Sequence, residues 1–359
     1  MKRGKVEEWW RKTIAQEKPG PLGMAAQGAL LVCTLPYGAI VLLRGFFYAT
    51  KMLATLKVPV PVVSFGNITA GGGGKTPAAI WCAKRLLEKG IKPGIASRGY
   101  NPEGRGDDGP NDEAMLLKEE LPDVPHVWDA DRAKAAGRLV KEHGCSVVIL
   151  DDGFQHRRLH RTLDIVLVDA LNPFGYGYLM PRGLLREPPS ALRRATHIVI
   201  TRSNLVSRDE LVKIRQRIRD VEEGVKLSEA VHQPVGVFFA GGKREDVETL
   251  RGRKVYAFCG IANPQAFLIT LSNLGATVVG MRSFGDHHIY SQEELGEVWS
   301  EARERSAELV VTTQKDRVKC GWREGAAPPL AEVRVEFELV RGKEAIESAL
   351  DFIVKSLSQ

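Results

Sequence analysis

Paired cysteines are missing from this chain. The five present (Cys33, Cys82, Cys145, Cys259 and Cys320) are scattered, and none stands in a CxxC. That leaves no signature for a cysteine zinc site or a disulfide framework, and makes the reducing cytosol the simplest compartment. Charge is missing from one long stretch, since Pro19 to Leu43 runs for 25 residues without Asp, Glu, Lys or Arg. No A-x-A-like cleavage site follows this stretch, which also begins too late for a secretory leader. No short-period repeat is present, which argues against a solenoid or propeller. The rest of the composition is ordinary: 43% hydrophobic and 26% charged residues over 359 positions suit a folded protein of two domains.

The net charge of +7 is unevenly spread, because residues 1–60 carry nine Lys or Arg against three Glu, a balance of +6. A nucleic-acid binder would spread or stripe its charge over the folded body, so no nucleic-acid partner is expected. Length alone would let 19–43 cross a membrane. Pro19, Pro21 and Pro36 break helix, and Gly20, Gly23, Gly28 and Gly38 weaken it, so a clean span is not expected. Further on, Arg44, Tyr48, Lys51 and Thr55 recur at helical spacing opposite Leu42, Leu43, Phe46, Phe47, Met52 and Leu53. That pattern predicts an interfacial amphipathic helix with cationic anchors, with Trp9 and Trp10 beside Arg11 and Lys12 adding to it. Residues 1–57 are therefore expected to associate with an anionic membrane surface, at about 1 kcal/mol per basic residue. A core helix covering the folded body is the alternative.

The strongest chemical signal is Gly66-Asn67-Ile68-Thr69-Ala70-Gly71-Gly72-Gly73-Gly74-Lys75-Thr76, between an apolar run at 58–63 and a helix-like stretch from Pro77. Strand, glycine loop, Lys-Thr and helix is the setting of a phosphate-binding P-loop. Glycines let backbone amides curl around an anion, Lys75 neutralises phosphate charge, and Thr76 offers a hydroxyl to magnesium. The strict motif has Gly where this chain has Thr69. A flexible surface turn is the bland alternative.

Strand-like and helix-like segments alternate from there to residue 201, and again from Val235 to Thr313. The expected fold class is α/β: a P-loop NTPase-like parallel sheet with helices on both faces, a second smaller α/β domain, and the N-terminal amphipathic helical segment. The domains are expected at 1–57, 58–220 and 221–359. Asn101 to Asn111, rich in Gly, Pro and Asp, reads as a mobile loop.

Val147 to Leu150 ends in Asp151-Asp152, the place where a P-loop protein holds its magnesium. Gln155 and His156 follow where ligands bind in such sheets, with a solvated basic turn as the alternative. In Leu185-Arg186-Glu187-Pro188, Arg186 suits a phosphate clamp and Glu187 a metal shell. Asp286-His287 at a strand end suits an oriented imidazole. Thr313-Gln314-Lys315-Asp316 lacks the Asn of a guanine-reading motif, so a structural or interdomain role is expected for it.

Taken in order, these pieces resemble the tetraacyldisaccharide 4′-kinase family of lipid A biosynthesis. The matching stretches are the glycine loop, Ser-Arg-Gly-Tyr at 97–100, Asp-Glu at 112–113, Arg132 and Leu-Asp-Asp-Gly-Phe-Gln-His-Arg-Arg-Leu at 150–159. They continue with Leu-Leu-Arg-Glu-Pro at 184–188, Cys-Gly-Ile-Ala-Asn-Pro at 259–264, Phe-Gly-Asp-His-His-Ile-Tyr at 284–290 and Thr-Thr-Gln-Lys-Asp at 312–316. Of these, Asp-Asp-Gly-Phe-Gln-His is the family-specific one. The resemblance implies transfer of phosphate from ATP, with Mg2+, to the 4′-hydroxyl of an acylated glucosamine disaccharide lipid. It also implies a peripheral site at the cytoplasmic face of the bacterial inner membrane. By the same resemblance Asp112 is the catalytic base, and His287 is its partner, contributed by the C-terminal domain to an interdomain cleft. Lys75 and the loop Thr69, Ala70, Gly71, Gly72, Gly73 and Gly74 serve phosphate. Thr76, Asp151, Asp152 and Glu187 shape the metal shell, and Arg132, Gln155, His156 and Arg186 line the site. The chain departs from the family pattern at Asn111, at Gly73 in place of Thr, and at Gln314 in place of Glu.

Two other readings remain at this point. One is a membrane-surface switch ATPase without a small-molecule acceptor, against which stands Ala70 where that class carries a second lysine. The other is a degenerate nucleotide-binding module, against which stand Lys75, Thr76, Asp151 and Asp152.

Overall fold

A computed structural model describes residues 3–16, 18–98 and 112–357. The expected loop at 101–111, with Asn111 and the Gly99-Tyr100 pair, lies outside the described residues. Two helices come first, α1 (Arg3–Ala15) and α2 (Pro21–Ala49). Then follow β1 (Val62–Gly66), α3 (Lys75–Glu88), β2 (Pro93–Ser97), α4 (Asp112–Glu120), β3 (His126–Trp128), α5 (Arg132–His143) and β4 (Val147–Asp151). The chain continues through β5 (Leu163–Asp169), β6 (His197–Thr201), α6 (Arg208–Val221), β7 (Lys226–Phe238) and the short β8 (Arg244–Glu245). Last come β9 (Lys254–Cys259), α7 (Pro264–Asn273), β10 (Thr277–Ser283), α8 (Gln292–Glu304), β11 (Leu309–Thr313), α9 (Gln314–Cys320), β12 (Leu330–Arg341) and α10 (Lys343–Leu357).

The chain divides into two compact units. The first is Met1–Glu103, Glu120–Val231 and Glu338–Gln359; the second is Gly104–Glu119 and His232–Phe337. The first therefore runs past α6 and regains the chain's last helix.

In the first unit β1 lies between β4 and β5, β4 continues to β2 and β3, and β5 to β6, every pair parallel. The strands β1, β4 and β6 are buried along their whole length, as strands of a parallel sheet covered on both faces are, with Val147–Leu150 of β4 a continuous apolar run. The chain leaves β1 toward β2 and later returns to the other side through β5. The carboxyl end of β1 is thus a switch point, where such sheets bind ligands. Caps set the helix ends: Asp131 accepts from the Ala133 amide to start α5, and Ser207 with Glu210 forms a reciprocal capping box on α6. In the second unit β9 lies between β10 and β11, with β12 beyond β11, all parallel. Ser291 and Glu294 form a capping box on α8, and the α8 residues Leu295, Val298 and Trp299 pack on Tyr256 and Phe258 of β9.

The N-terminal segment differs from expectation. Pro36 does not break the helix: α2 is one element of 29 residues. Pro21 sits in the first turn, where its missing N–H is not needed. Contacts on both sides of Pro36, from Gln27 to Arg44, hold the axis through the proline, whose cost is about 3 kcal/mol in an unsupported helix. The predicted polar stripe also changes. The helix ends at Ala49, Lys51 takes a left-handed φ of 59°, and Thr55 lies beyond the helix. Arg44 and Tyr48 face the folded body, with Arg44 donating to the Gln155 carbonyl and the Arg157 guanidinium over the Tyr48 ring. Among the described residues α2 is the one helix long and apolar enough to cross a membrane. Its most apolar window has a mean hydropathy of 1.8, and only 6% of it is buried.

Candidate active site

In the first unit, residues 67–74 join β1 to α3. Gly71 (φ 119°) and Gly74 (φ 86°) occupy the left-handed region that a side chain would strain. Gly74 caps α3, so Lys75 and Thr76 open that helix with the free amides of its first turn around them. Lys75 Nζ donates to the Gly71 carbonyl at 3.3 Å and lies 3.6 Å from Asp152. Thr76 Oγ1 donates to Asp151 Oδ2 at 2.8 Å, both residues buried. Thr69, the departure from the strict motif, forms an antiparallel bridge with Leu185, a paired conformation that β-branched residues accept readily. Two side chains from strand ends brace the loop: Thr201 Oγ1 donates to the Gly73 carbonyl (3.1 Å) and Arg202 Nη2 to that of Gly72 (2.8 Å). Arg202 is itself paired with Asp169 at 2.5 Å. These three residues were not foreseen; their position at carboxyl ends of β5 and β6 is the signal that could have found them.

The loop after β4 lies tight on β1, with no room for a Cβ at Gly66 against Phe154 or at Gly153 against Ser64. Gly153 and Phe154 of the Asp-Asp-Gly-Phe run thus serve close packing against β1. Asp152 takes a φ of 56° and accepts from Arg186 Nη1 at 3.0 and 2.9 Å. Burial alone would raise its carboxyl, but Lys75 and Arg186 hold it well below the usual range. Gln155 donates to the Asn67 carbonyl (2.7 Å) and accepts from Arg186 Nη1 (3.3 Å). His156 Nε2 accepts from the Arg132 backbone amide at 3.2 Å, which requires an unprotonated nitrogen there. Burial and the Arg132 charge agree, pushing its pKa down to about 4. The Arg132 side chain is buried and donates to the Asp129 carbonyl at 3.1 Å. Glu187 pairs with Arg194 at 2.9 Å, and Arg194 also covers the Phe154 ring.

The first unit thus joins Lys75, Asp152, Gln155 and Arg186 in one network beside the Thr76–Asp151 pair, and His156 of the same loop meets Arg132 at the start of α5. The Glu187 carboxylate is engaged by Arg194. Among the described residues no three His, Cys, Asp or Glu side chains gather as a ready metal cage. A buried hydroxyl and a carboxylate oxygen in contact do fit magnesium, which takes hard oxygen donors, binds through one or two carboxylates and completes its shell with water and phosphate.

The second unit holds a different cluster. Asp112 opens α4 with a buried side chain. His287, at a left-handed φ of 60° in the loop after β10, has Nδ1 2.8 Å from Asp112 Oδ1 and Nε2 3.7 Å from Asp286. From α9, Lys315 Nζ lies 3.5 Å and Lys319 Nζ 3.6 Å from Asp112 Oδ2. Lys315 also lies 3.2 Å from Asp286, and Lys319 3.0 Å from Asp316. Burial raises the Asp112 carboxyl, but the His287 hydrogen bond and the two ammonium groups outweigh it and hold Asp112 well below the carboxylate range. Burial lowers His287, yet the Asp112 hydrogen bond and the Asp286 charge leave it above its ordinary value, despite Lys315. Asp316 is fully buried and accepts from Gly260 N (3.0 Å), Tyr290 OH (2.8 Å) and Thr313 Oγ1 (2.7 Å), so it fixes the start of α9. Asp112 and His287 were expected as partners, but with Asp112 on the 58–220 core; the compact units instead group residues 104–119, and so Asp112, with His287. Lys315 and Lys319 were not expected at the site.

Residues 26–355 match the family model described as Tetraacyldisaccharide-1-P 4′-kinase. A tetraacyldisaccharide 4′-kinase of Anaeromyxobacter dehalogenans is 42% identical over 95% of this chain and 93% of its own length. One from Syntrophus aciditrophicus is 36% identical over 90% and 92%. An LpxK from Aquifex aeolicus, crystallised in complex with ATP, superposes with a TM-score of 0.67 at 27% identity, over 91% of this chain and 99% of that one.

Proposed function

The chain belongs to the tetraacyldisaccharide-1-P 4′-kinase family, and from that premise we propose that it transfers the γ-phosphate of ATP to the 4′-hydroxyl of a tetraacylated glucosamine disaccharide 1-phosphate. The observation that carries the reading is the Thr76–Asp151 and Lys75–Asp152 pairing on a glycine loop, in a chain matching the family over most of its length.

The amides of Gly71–Gly74 and the start of α3 receive the phosphates of ATP. Lys75, which lies against the Gly71 carbonyl, turns to the phosphate oxygens, and Arg186 adds a second cation. Thr76 and Asp151 would hold a magnesium ion, which would supply neutralisation of charge on the phosphates. Asp152 orients Lys75 and Arg186. Asp112 takes the proton of the 4′-hydroxyl as the new O–P bond forms and the bond from the γ-phosphorus to ADP breaks. His287 donates from Nδ1 to Oδ1, and the Lys315 and Lys319 ammonium groups face Oδ2. A loose transition state calls for the proton late, so a carboxylate of low basicity suffices.

The acyl chains of such an acceptor stay in a bilayer. The exposed apolar side chains of α2, among them Leu22, Leu35, Ile40 and Leu42, together with the +6 balance of residues 1–60, suit docking on an anionic leaflet. The chain is thereby a peripheral protein of the cytoplasmic face of the inner membrane. The test is thin-layer detection of label moved from γ-labelled ATP to the tetraacylated acceptor in detergent. Label in the lipid supports the reading; acceptor-independent ATP hydrolysis alone contradicts it.

A further inference from the structure

The segment from Leu179 to Glu187 has two sides, and both are hydrogen-bonded. On one side it meets the N-terminal helices. Trp10 Nε1 of α1 donates to the Pro181 carbonyl at 2.7 Å. From α2, Thr34 Oγ1 accepts from the Arg182 amide (3.2 Å), and its one proton is shared between the Leu30 carbonyl of the same helix (3.0 Å) and the Leu179 carbonyl (3.3 Å). Tyr37 OH donates to the Arg186 carbonyl at 3.0 Å. Gly38 is the buried residue of α2, and a Cβ on it would press on Leu179 at 3.3 Å.

On its other side the same segment pairs with the glycine loop. The Ala70 amide donates to the Leu184 carbonyl at 2.6 Å, the Arg186 amide donates to the Ile68 carbonyl at 2.7 Å, and Thr69 bridges Leu185. Its last residues carry Arg186, whose guanidinium holds Asp152 and Gln155. Gln155 has its own tie to α2, since Arg44 Nη2 donates to its carbonyl at 2.6 Å. Every step from the apolar helix to the phosphate loop is therefore a named contact between polar atoms.

We propose that the 179–187 segment is a strut that sets the phosphate loop from α2, with Tyr37 and Arg44 as positioning residues for the Arg186–Asp152–Gln155 clamp. Neither residue touches phosphate in this scheme. Each fixes the main chain of a residue whose side chain does the gripping. The apolar helix then has two duties on one body: its exposed face meets lipid, and its inner face tunes affinity for a nucleoside triphosphate. A lipid surface that steadies α2 should therefore tighten ATP binding with no acceptor present. This rests on the kinase reading only for the identity of the nucleotide, because binding is measured without the acceptor.

The experiment measures the affinity of the full-length protein for a fluorescent ATP analogue with magnesium, with and without vesicles containing anionic phospholipid. Tyr37→Phe and Arg44→Met are compared with wild type, and Arg44→Lys serves as the conservative control. Loss of one such hydrogen bond predicts analogue binding weakened about fivefold in Tyr37→Phe and Arg44→Met. Partial recovery is expected in Arg44→Lys, with melting temperature unchanged in all three and vesicle sedimentation unchanged in the charge-preserving Tyr37→Phe and Arg44→Lys. Vesicles should tighten binding in wild type and much less in the two variants. Unchanged affinity in both variants overturns the proposal, as does weakening matched by an equal loss of melting temperature in either or, in Tyr37→Phe, of vesicle binding. Failure of the kinase reading would instead appear as wild-type analogue binding without phosphate reaching the lipid.

Discussion

Asp112 and His287 stand 175 residues apart in the chain and share a 2.8 Å hydrogen bond. Asp112 is buried and ionised, so removing its charge should abolish proton acceptance and leave nucleotide binding alone. Asp112→Asn is expected to lower kcat by about 10²-fold or more, the scale of a lost general base, with KM for ATP unchanged. His287→Gln keeps a donor toward Asp112 and should lose less. Steady-state kinetics with both substrates varied check this; an Asp112→Asn enzyme turning over at the wild-type rate removes the residue from the role.

Lys315 is 3.5 Å from the same carboxylate and helps hold it ionised. Lys315→Met should let the Asp112 carboxyl rise, because an ammonium that lowers it is gone. His287 should rise too, since Lys315 lowers it, while Asp286 loses its neighbouring cation. Lys319 remains on Asp112, and Glu113 lies near as a further acid. The acid limb of the kcat/KM profile should therefore move to higher pH in Lys315→Met. An acid limb that stays in place in that variant contradicts the assigned role.

The phosphate cluster and the Asp112 cluster differed in how legible they were. Gly-Lys-Thr after an apolar strand and Asp-Asp at the end of another are local patterns, and β1 and β4 place them as read. Lys315 was passed over because its motif was weighed for base recognition, and nothing local says that α9 packs against the start of α4. Helix α2 was misread for the opposite reason: local rules count Pro36 as a breaker, whereas contacts distant in sequence, such as Thr34 with Leu179 and Tyr37 with Arg186, override them. The stripe ending at Thr55 looked amphipathic by spacing alone, but the chain turns at Lys51 and its two helical polar members face protein.

In the proposed scheme Thr76 and Asp151, in contact at 2.8 Å, would offer magnesium its protein oxygens. Asp151→Asn should raise the magnesium concentration needed for half-maximal rate by about tenfold or more. Chelation with EDTA should stop transfer in wild type. Titration of the rate against free magnesium is the measurement, and a magnesium dependence identical to wild type contradicts the assignment.

His197 gives a stability prediction. It is fully buried, and Ser228 Oγ gives its proton to the Gly342 carbonyl (2.7 Å) and so accepts from His197 Nε2 (2.8 Å). Burial pushes His197 down to about 4. The unfolded chain takes up this proton below about pH 6.5 while the folded chain refuses it until about 4. Stability is thus fully present above that range and declines as the pH falls through it. His126 and His156 are depressed in the same direction and steepen the slope. His197→Gln, which keeps a donor toward Ser228, should flatten the dependence of the urea midpoint between those pH values; an unaltered slope rules His197 out as a source.

The most direct test of the central claim is to incubate the full-length protein with ATP, magnesium and the tetraacylated disaccharide 1-phosphate, and to locate the added phosphate on the product by 31P NMR and mass spectrometry. The account predicts one new phosphomonoester, on the 4′-hydroxyl, formed by wild type and nearly absent with Asp112→Ala. Phosphate found at another position, or equal product from wild type and Asp112→Ala, would contradict it.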